Sequence, residues 1–510
     1  MKLKKTCYGL LDGPYAWYQH LLRILTKQLG YRQSAGDPCL FYLTDDDDVS
    51  KLKGVISVAT DDLLHGGDAD HWTKMRWLNE HYKLGKFTQG DGRFVGKDIR
   101  CQKDGSFLVH QPMFAKKIQQ IELSRERKQE KYSYCNEKEI SQLRGLLGSL
   151  SWLAKETRPD LAGRVALLQQ SMPNPYIQDL IEANSLAREA VQFADLGITI
   201  QPIPFEFLRV GTVSDASWGN TKPEKDETPS KDYWEEKERC WIRHHIQPRK
   251  LLFHPAGDPS GPNCYDLEPD RVTIADGQEY RDEWNQRNSC RTHSDESWCG
   301  QTIFFKSSAT KKPKTKVNEK FLQQGRLASQ GGFVTFFYDS RMETTERSYP
   351  ISIINWKSFR IKRCTVNTLS AECQAMLQGV GALHWLRFLI REAQGQDLNI
   401  QNWEDEISHL PYIAVTDSKS LYDTIQKCCN TASHIEDKRT AIDVTILKRD
   451  FKQTKGQVRW VEGTRMVADS LTKKMGSSFL REVLTKGRWS LSELGFQQEG
   501  NSLLYLIPGL

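Results

Sequence analysis

No stretch of this 510-residue chain holds the roughly 18 consecutive apolar residues that a membrane-crossing helix needs, and the mean hydropathy is −0.60. The first residues, Met1 to Cys7, contain no apolar run of signal-peptide length. The 12 cysteines are scattered and form no Cys-x-x-Cys pair, which argues for reduced thiols. These absences exclude a secreted disulfide scaffold and a membrane protein, and imply an intracellular protein of the cytoplasm, the nucleus or both. A dominant charge is lacking too. Lys and Arg number 71 against 65 Asp and Glu, a net charge of +6, which permits a polyanionic partner without demanding one. There are no internal repeats. Aromatic residues, by contrast, are plentiful: 14 Trp, 17 Tyr and 20 Phe can build cores and rule out a wholly disordered chain. At about 100–200 residues per domain, the length implies two to four units.

Periodicity places a first helix over Pro14–Gly30, with Trp17, Leu21, Leu22, Leu25 and Leu29 on one face. Strands follow at Leu40–Leu43 and Val55–Ala59, with Asp45–Asp48 as a solvated turn between them. Asp68 caps a helix reaching Tyr82. Phe94–Cys101 and Phe107–His110 alternate as strands, and Gln111–Ile121 reads as helix. Tyr134–Ala194 is helical, with an apolar face of Leu143, Leu146, Leu147, Leu150 and Leu153 and a break at Arg158-Pro159. Strands are then expected at Phe207–Ser214, Gly332–Phe337, Ile351–Trp356, Tyr412–Thr416 and Val458–Val461. Helices are expected at Ser370–Ile390, His434–Phe451 and from Val467 to Lys474. The mixture indicates an α/β or α+β protein. Between Gly219 and Gly325, about a hundred residues of weak periodicity read as an inserted module.

Apolar strands that end in aspartate are the most informative features. Gly54–Thr60 runs into Asp61-Asp62. Two adjacent carboxylates repel by about 1 kcal/mol or more in a low-dielectric site. A divalent cation removes that cost and serves phosphoryl transfer, although the pair taken alone is explained more simply as a surface hairpin tip. Asp215 follows Thr212–Ser214, Asp417 follows Ile413–Thr416, Glu372 sits in the helix Ser370–Ile390, and Asp469 begins the final helix. Each alone fits a cap or a surface charge. Together they fit an oxygen-only cage for two Mg²⁺.

The order of these motifs resembles the Pol polyprotein of copia-type (Pseudoviridae-like) LTR retrotransposons. Leu3-Lys-Lys-Thr-Cys-Tyr-Gly-Leu-Leu-Asp-Gly-Pro-Tyr-Ala-Trp-Tyr is similar to LKKALYGLKQAPRAWY, Asp61-Asp62 stands where that family has YVDD, and Phe94-Val-Gly-Lys-Asp-Ile resembles FLGLQI. Leu147-Gly-Ser-Leu-Ser-Trp-Leu-Ala and Thr157-Arg-Pro-Asp-Leu resemble GSLMYLA…TRPDI. Further on, Ser214-Asp215-Ala-Ser-Trp is similar to SDADW, Ile354-Asn-Trp-Lys-Ser to ISWKS, and Ser370-Ala-Glu372 to SEAEY. Thr416-Asp417-Ser-Lys-Ser resembles DNKSA, and Ala468-Asp469-Ser-Leu-Thr-Lys resembles ADILTK.

This resemblance implies a multidomain α/β and α+β chain. Residues 1–121 would be a partial reverse transcriptase palm/thumb lacking the fingers and the first half of the palm, and 122–200 a helical thumb/connection. Residues 207–485 would be an RNase H-like domain, a mixed five-stranded sheet with flanking helices carrying the insertion 219–325, before a tail at 486–510. Two chemistries are implied. Asp61 and Asp62, with an earlier aspartate, would hold two metals for 3′-hydroxyl attack on a deoxynucleotide. Asp215, Glu372, Asp417 and Asp469 would hold two Mg²⁺, with Mn²⁺ as the alternative, to cleave the RNA of an RNA–DNA hybrid. The implied partners are that hybrid, an RNA template and DNA, and no membrane.

Ala59 and Thr60 replace the tyrosine and valine of YVDD, and the earlier aspartate is absent, so the polymerase portion is expected to be inactive and the RNase H portion active. A catalytically dead or co-opted nucleic-acid-binding remnant is the alternative, and a complete reverse transcriptase would need further coding sequence before Met1. Within the insertion, Cys290, His293 and Cys299, with Cys240, His244 and His245, are candidate zinc ligands, but their irregular spacing favours free thiols and surface histidines. Lys311-Lys-Pro-Lys-Thr-Lys is like a simple nuclear-localisation signal or a solvated linker.

Overall fold

Alternating apolar residues build a small antiparallel sheet at the start of the described chain. In the computed structural model, which describes 13–218 and 329–491 apart from Lys83, Lys86, Pro173, Glu346, Cys364, 396–397, 427–434 and 475–476, four strands pair in sequence order. They are β1 (Arg32–Gln33), β2 (Leu40–Thr44), β3 (Leu52–Ala59) and β4 (Asp62–Gly67). Phe41, Leu43, Ile56 and Val58 face the helices α1 (Gly13–Arg23) and α2 (Ala69–Tyr82), which contribute Leu21, Met75 and Leu78. The single helix expected over Pro14–Gly30 changes hydrogen-bond period midway, because a π-helical turn occupies Ile24–Gln28. The candidate zinc ligands and the basic run of the insertion lie outside the described residues, as does nearly all of the tail.

A second antiparallel sheet joins β5 (Gly92–Phe94), β6 (Lys97–Cys101), β7 (Phe107–His110) and β8 (Gly197–Ile200). The strand expected over Phe94–Cys101 is instead a hairpin, turning at Val95 (φ 48°) and Gly96 (φ 75°) as a primed two-residue turn requires. Of the helix expected over Gln111–Ile121, a single turn forms at Pro112–Ala115. Three helices follow: α3 (Glu137–Glu156), α4 (Pro159–Ser171) and α5 (Ile177–Gln192). Leu143, Leu146, Leu147, Leu150 and Leu153 all enter their shared core. At the break before Pro159, fully buried Arg158 pairs with Asp160 at 2.8 Å and donates to the Phe193 carbonyl at 2.7 Å. The guanidinium thus holds the α3–α4 corner and the end of α5 together, satisfying its own buried charge while doing so.

The largest sheet is mixed. Strands β9 (Leu208–Ser217), β10 (Gln330–Asp339) and β11 (Tyr349–Arg360) form an antiparallel meander. On the other side of β9, β12 (Tyr412–Thr416) and β13 (Gly456–Trp460) add in parallel. The sheet has six strands rather than the five expected. The sixth, β14 (Arg488–Trp489), is two residues long, too short for a period-2 signal, and lies at the start of the segment read as tail. Long apolar runs bury both faces, as parallel strands demand. Tyr412 and Ala414 face α6 (Thr368–Ala393), α7 (Lys419–Gln426) and α8 (Lys438–Gln453), whereas Ile413 and Val415 face a layer that includes α10 (Ser478–Lys486).

Ser217 and Gln330 are register partners on neighbouring antiparallel strands, so the chain leaves and rejoins the sheet at one hairpin end. Long surface connections add little closure entropy, about 0.6 kcal/mol per doubling. Replacing 222–324 with a short Gly/Ser linker is therefore expected to leave a cooperative thermal unfolding transition. Loss of that transition would show that the excised segment belongs to the core.

Candidate active site

The two parallel strands β9 and β12 deliver two aspartates to one edge of the sheet. Val415 is the register partner of Val213, so two residues further on, Asp417 comes level with Asp215. Close approaches at glycine bring in the other groups. A Cβ on Gly332, opposite Asp215, would lie 2.6 Å from the Leu471 Cβ, and one on Gly163 would lie 2.3 Å from the Ser470 carbonyl oxygen. Only glycine at these positions lets the short helix α9 (Asp469–Thr472) press against β10 and α4. At Gly379, α6 closes on the sheet in the same way, and a Cβ there would lie 2.7 Å from the Thr212 Oγ1. The N-terminal part of that helix, capped by the Asn367 side chain on Ser370 N–H at 2.8 Å, carries Glu372.

Oxygens of Asp215, Asp417 and Asp469 all lie within 4.8 Å of one another, the only such His/Cys/Asp/Glu group of three among the described residues. Glu372 stands beside them, 4% exposed, with one carboxylate oxygen unpartnered and the Ala216 N–H donating to the group. Burial, reinforced by Asp469 and Asp417 and opposed by Lys473, pushes the Asp215 carboxyl up to about 7. Burial and the charges of Asp215 and Asp417 hold Glu372 well above the usual carboxylate range. Asp417 is raised by burial and by Asp469, again against Lys473. The Thr472 hydroxyl donates to Asp215 Oδ2 and fixes its rotamer. Lys473 places its ammonium 2.5 Å from Asp469 Oδ1 and 3.9 Å from Asp215 Oδ2.

This donor set fits a hard divalent cation. Every ligand atom is a carboxylate oxygen, one is a buried orphan, and the burial and mutual repulsion that raise three of the carboxyls are both offset by a cation. Asp61 and Asp62 are placed differently. They stand exposed at the β3–β4 hairpin tip, where Ala59 pairs with Asp62 and Thr60 takes φ 56°. Among the described residues no third metal-ligating side chain joins them. Sequence reasoning gave no role to Thr472 or Lys473, although Lys473 lies at i+4 from Asp469, the spacing that puts two side chains on one helical face.

A carboxyl that ionises near 7 when folded but near about 3.9 when unfolded stabilises the fold at low pH and costs stability as pH rises between those values. In chelator-treated protein, Asp215→Asn is therefore expected to raise the unfolding free energy obtained from urea titration at pH 7.5, by about a few kcal/mol, and to change it little at pH 4. An equal effect at both pH values would contradict the buried, repelled state of Asp215.

Two curated relatives share part of this sequence: the retrovirus-related Pol polyproteins from transposons RE1 and RE2 of Arabidopsis thaliana. Both are 25% identical, over 228 residues (43% of this chain) and 224 residues (42%) respectively. The alignments span 15% of the length of each relative. No family model matches the chain, and no solved structure matches it. Among the described residues no helix is long and apolar enough to cross a membrane. The chain is thus distantly similar to retrotransposon Pol polyproteins.

Proposed function

We propose that this chain is a retrotransposon-derived Pol fragment that cleaves the RNA strand of RNA–DNA hybrids, with 207–485 as its RNase H-like domain. The observation that carries the reading is the convergence of Asp215, Asp417 and Asp469, with Glu372 beside them, at one edge of a mixed sheet. Bound Mg²⁺, or Mn²⁺ in its place, would lower the pKa of an attacking water and stabilise the leaving oxygen. The chain's own groups position and neutralise. Asp215, Asp417 and Asp469 supply the shared oxygens, Glu372 adds the orphaned one, and Thr472 orients Asp215. Trp460 donates to the Asp417 backbone carbonyl at 2.9 Å and holds the end of β12 in place.

The hybrid, an RNA template and DNA are the proposed partners, and the cytoplasm or nucleus the proposed place of action. The polymerase portion, 1–121 with the helical 122–200, is inactive in this reading, because Asp61 and Asp62 are solvent-exposed with no third carboxylate joining them among the described residues, and Ala59 stands where a tyrosine would flank the primer end. A remnant that binds nucleic acid without cutting it is the second reading, favoured by the Lys473 ammonium that already neutralises Asp469.

Purified full-length protein is expected to cut the RNA of a labelled hybrid in Mg²⁺, and Asp417→Asn to slow cutting more than about 100-fold by removing a ligand charge. Hybrid binding without cleavage by the parent would favour the second reading. In a primer-extension assay the same protein is expected to incorporate no deoxynucleotide; template-dependent incorporation lost in Asp61→Asn would overturn the inactive polymerase.

A further inference from the structure

Among the described residues, the basic side chain paired with the carboxylate group is Lys473. Its ammonium is 2.5 Å from Asp469 Oδ1 and 3.9 Å from Asp215 Oδ2, close to where a cation shared by those two groups would bring its own charge. An ammonium is a compact point charge on a flexible four-carbon stem. The Lys473 side chain is 40% exposed, so the head can swing out to water while the stem stays anchored beside buried Thr472. Four acids with one resident cation form a set that is poorly balanced without metal and crowded with positive charge once metal enters.

Resting on the metal-dependent reading above, we propose that Lys473 is an internal counter-ion: it occupies the carboxylate group when no metal is bound, competes with the incoming divalent ion, and thereby sets the metal concentration at which the site fills. The ammonium offsets carboxylate repulsion in the metal-free protein, so removing it costs stability there. With metal present, a hard dication and the ammonium repel across a few ångströms, so removing the ammonium strengthens metal binding. Lys473 is a positioning residue in this account, acting on the occupancy of the site and not on the reacting atoms.

The test is calorimetric titration of chelator-stripped full-length protein with Mn²⁺, together with thermal unfolding of the metal-free forms. Lys473→Met keeps the stem and removes the charge; Lys473→Arg keeps the charge; Asp417→Asn controls for binding at the site. Lys473→Met is expected to bind Mn²⁺ about tenfold more tightly than the parent while melting at lower temperature without metal. Lys473→Arg is expected to stay near the parent in both. If the parent binds Mn²⁺ in an Asp417-dependent way but Lys473→Met binds no more tightly, the counter-ion role is overturned and the metal-dependent reading stands. If neither parent nor Lys473→Met binds Mn²⁺, both are overturned. Should Lys473→Met fail to fold, tighter binding by Lys473→Gln supports the proposal and unchanged binding refutes it.

Discussion

Holding acidic oxygens within 4.8 Å of one another in a partly buried place is uphill, and the architecture around Asp215 is arranged to sustain it. Two unit charges about 4 Å apart repel by roughly 4 kcal/mol at an effective dielectric near 20. No flexible loop would keep such groups together. Here Asp215 comes from an interior strand of a sheet buried on both faces, Asp417 from the end of its parallel neighbour, Glu372 from a 26-residue helix, and Asp469 from a turn wedged between β10 and α4. Each wedge closes over a glycine. A side chain at Gly163, Gly332 or Gly379 would push an acid-bearing element away from the sheet, and the repulsion would then assist the separation.

Helix α6 links this centre to the N-terminal sheet. Near its start it carries Glu372, and near its end Glu392 is 5% exposed and accepts from the Ala35 N–H at 2.7 Å and from the Ser34 hydroxyl. Arg32 donates to the Glu392 carbonyl at 2.7 Å, and Tyr42 donates to the Leu389 carbonyl at 3.1 Å. A buried carboxylate satisfied by a hydroxyl and a backbone amide is a specific lock, since it is costly if either partner is lost. Polar contacts at both ends thus fix the helix, and the apolar residues Cys373, Met376, Val380 and Leu383 fix its middle.

Much of this was legible in the sequence because burial on both faces writes long apolar runs, as in Tyr412–Thr416, and because heptad-like spacing marks helices such as α3. Positions of the four acids at strand ends and helix starts could be read for the same reason. Other features left no local signal. The two-residue β14 is created by Trp489 packing edge-on to Phe336, a tertiary contact across more than a hundred residues of sequence. The Val95-Gly96 turn was hidden inside an alternating run, since Val95 favours strand and is forced to φ 48° by the hairpin. Lys473 left only its i+4 spacing from Asp469, because its bearing on Asp215, 258 positions earlier in the chain, is invisible to any window.

The two aspartate features that looked alike in sequence separate on topology. Asp61-Asp62 and Asp417 both follow short apolar strands, yet β3 turns back through a two-residue hairpin into an antiparallel partner, whereas β12 runs parallel to β9. In an antiparallel hairpin the neighbouring strand end points the other way, so an acid at the tip meets water and not a second acid. In a parallel pair both carboxyl ends reach the same edge, which is why side chains in α/β sheets gather there. Convergence of Asp215 with Asp417 is therefore a consequence of strand direction, and the exposure of Asp61 and Asp62 is the consequence of its reversal. The spacing of an aspartate from an apolar run says where a strand stops; the direction of the next strand decides whether that stop can become part of a converging carboxylate group.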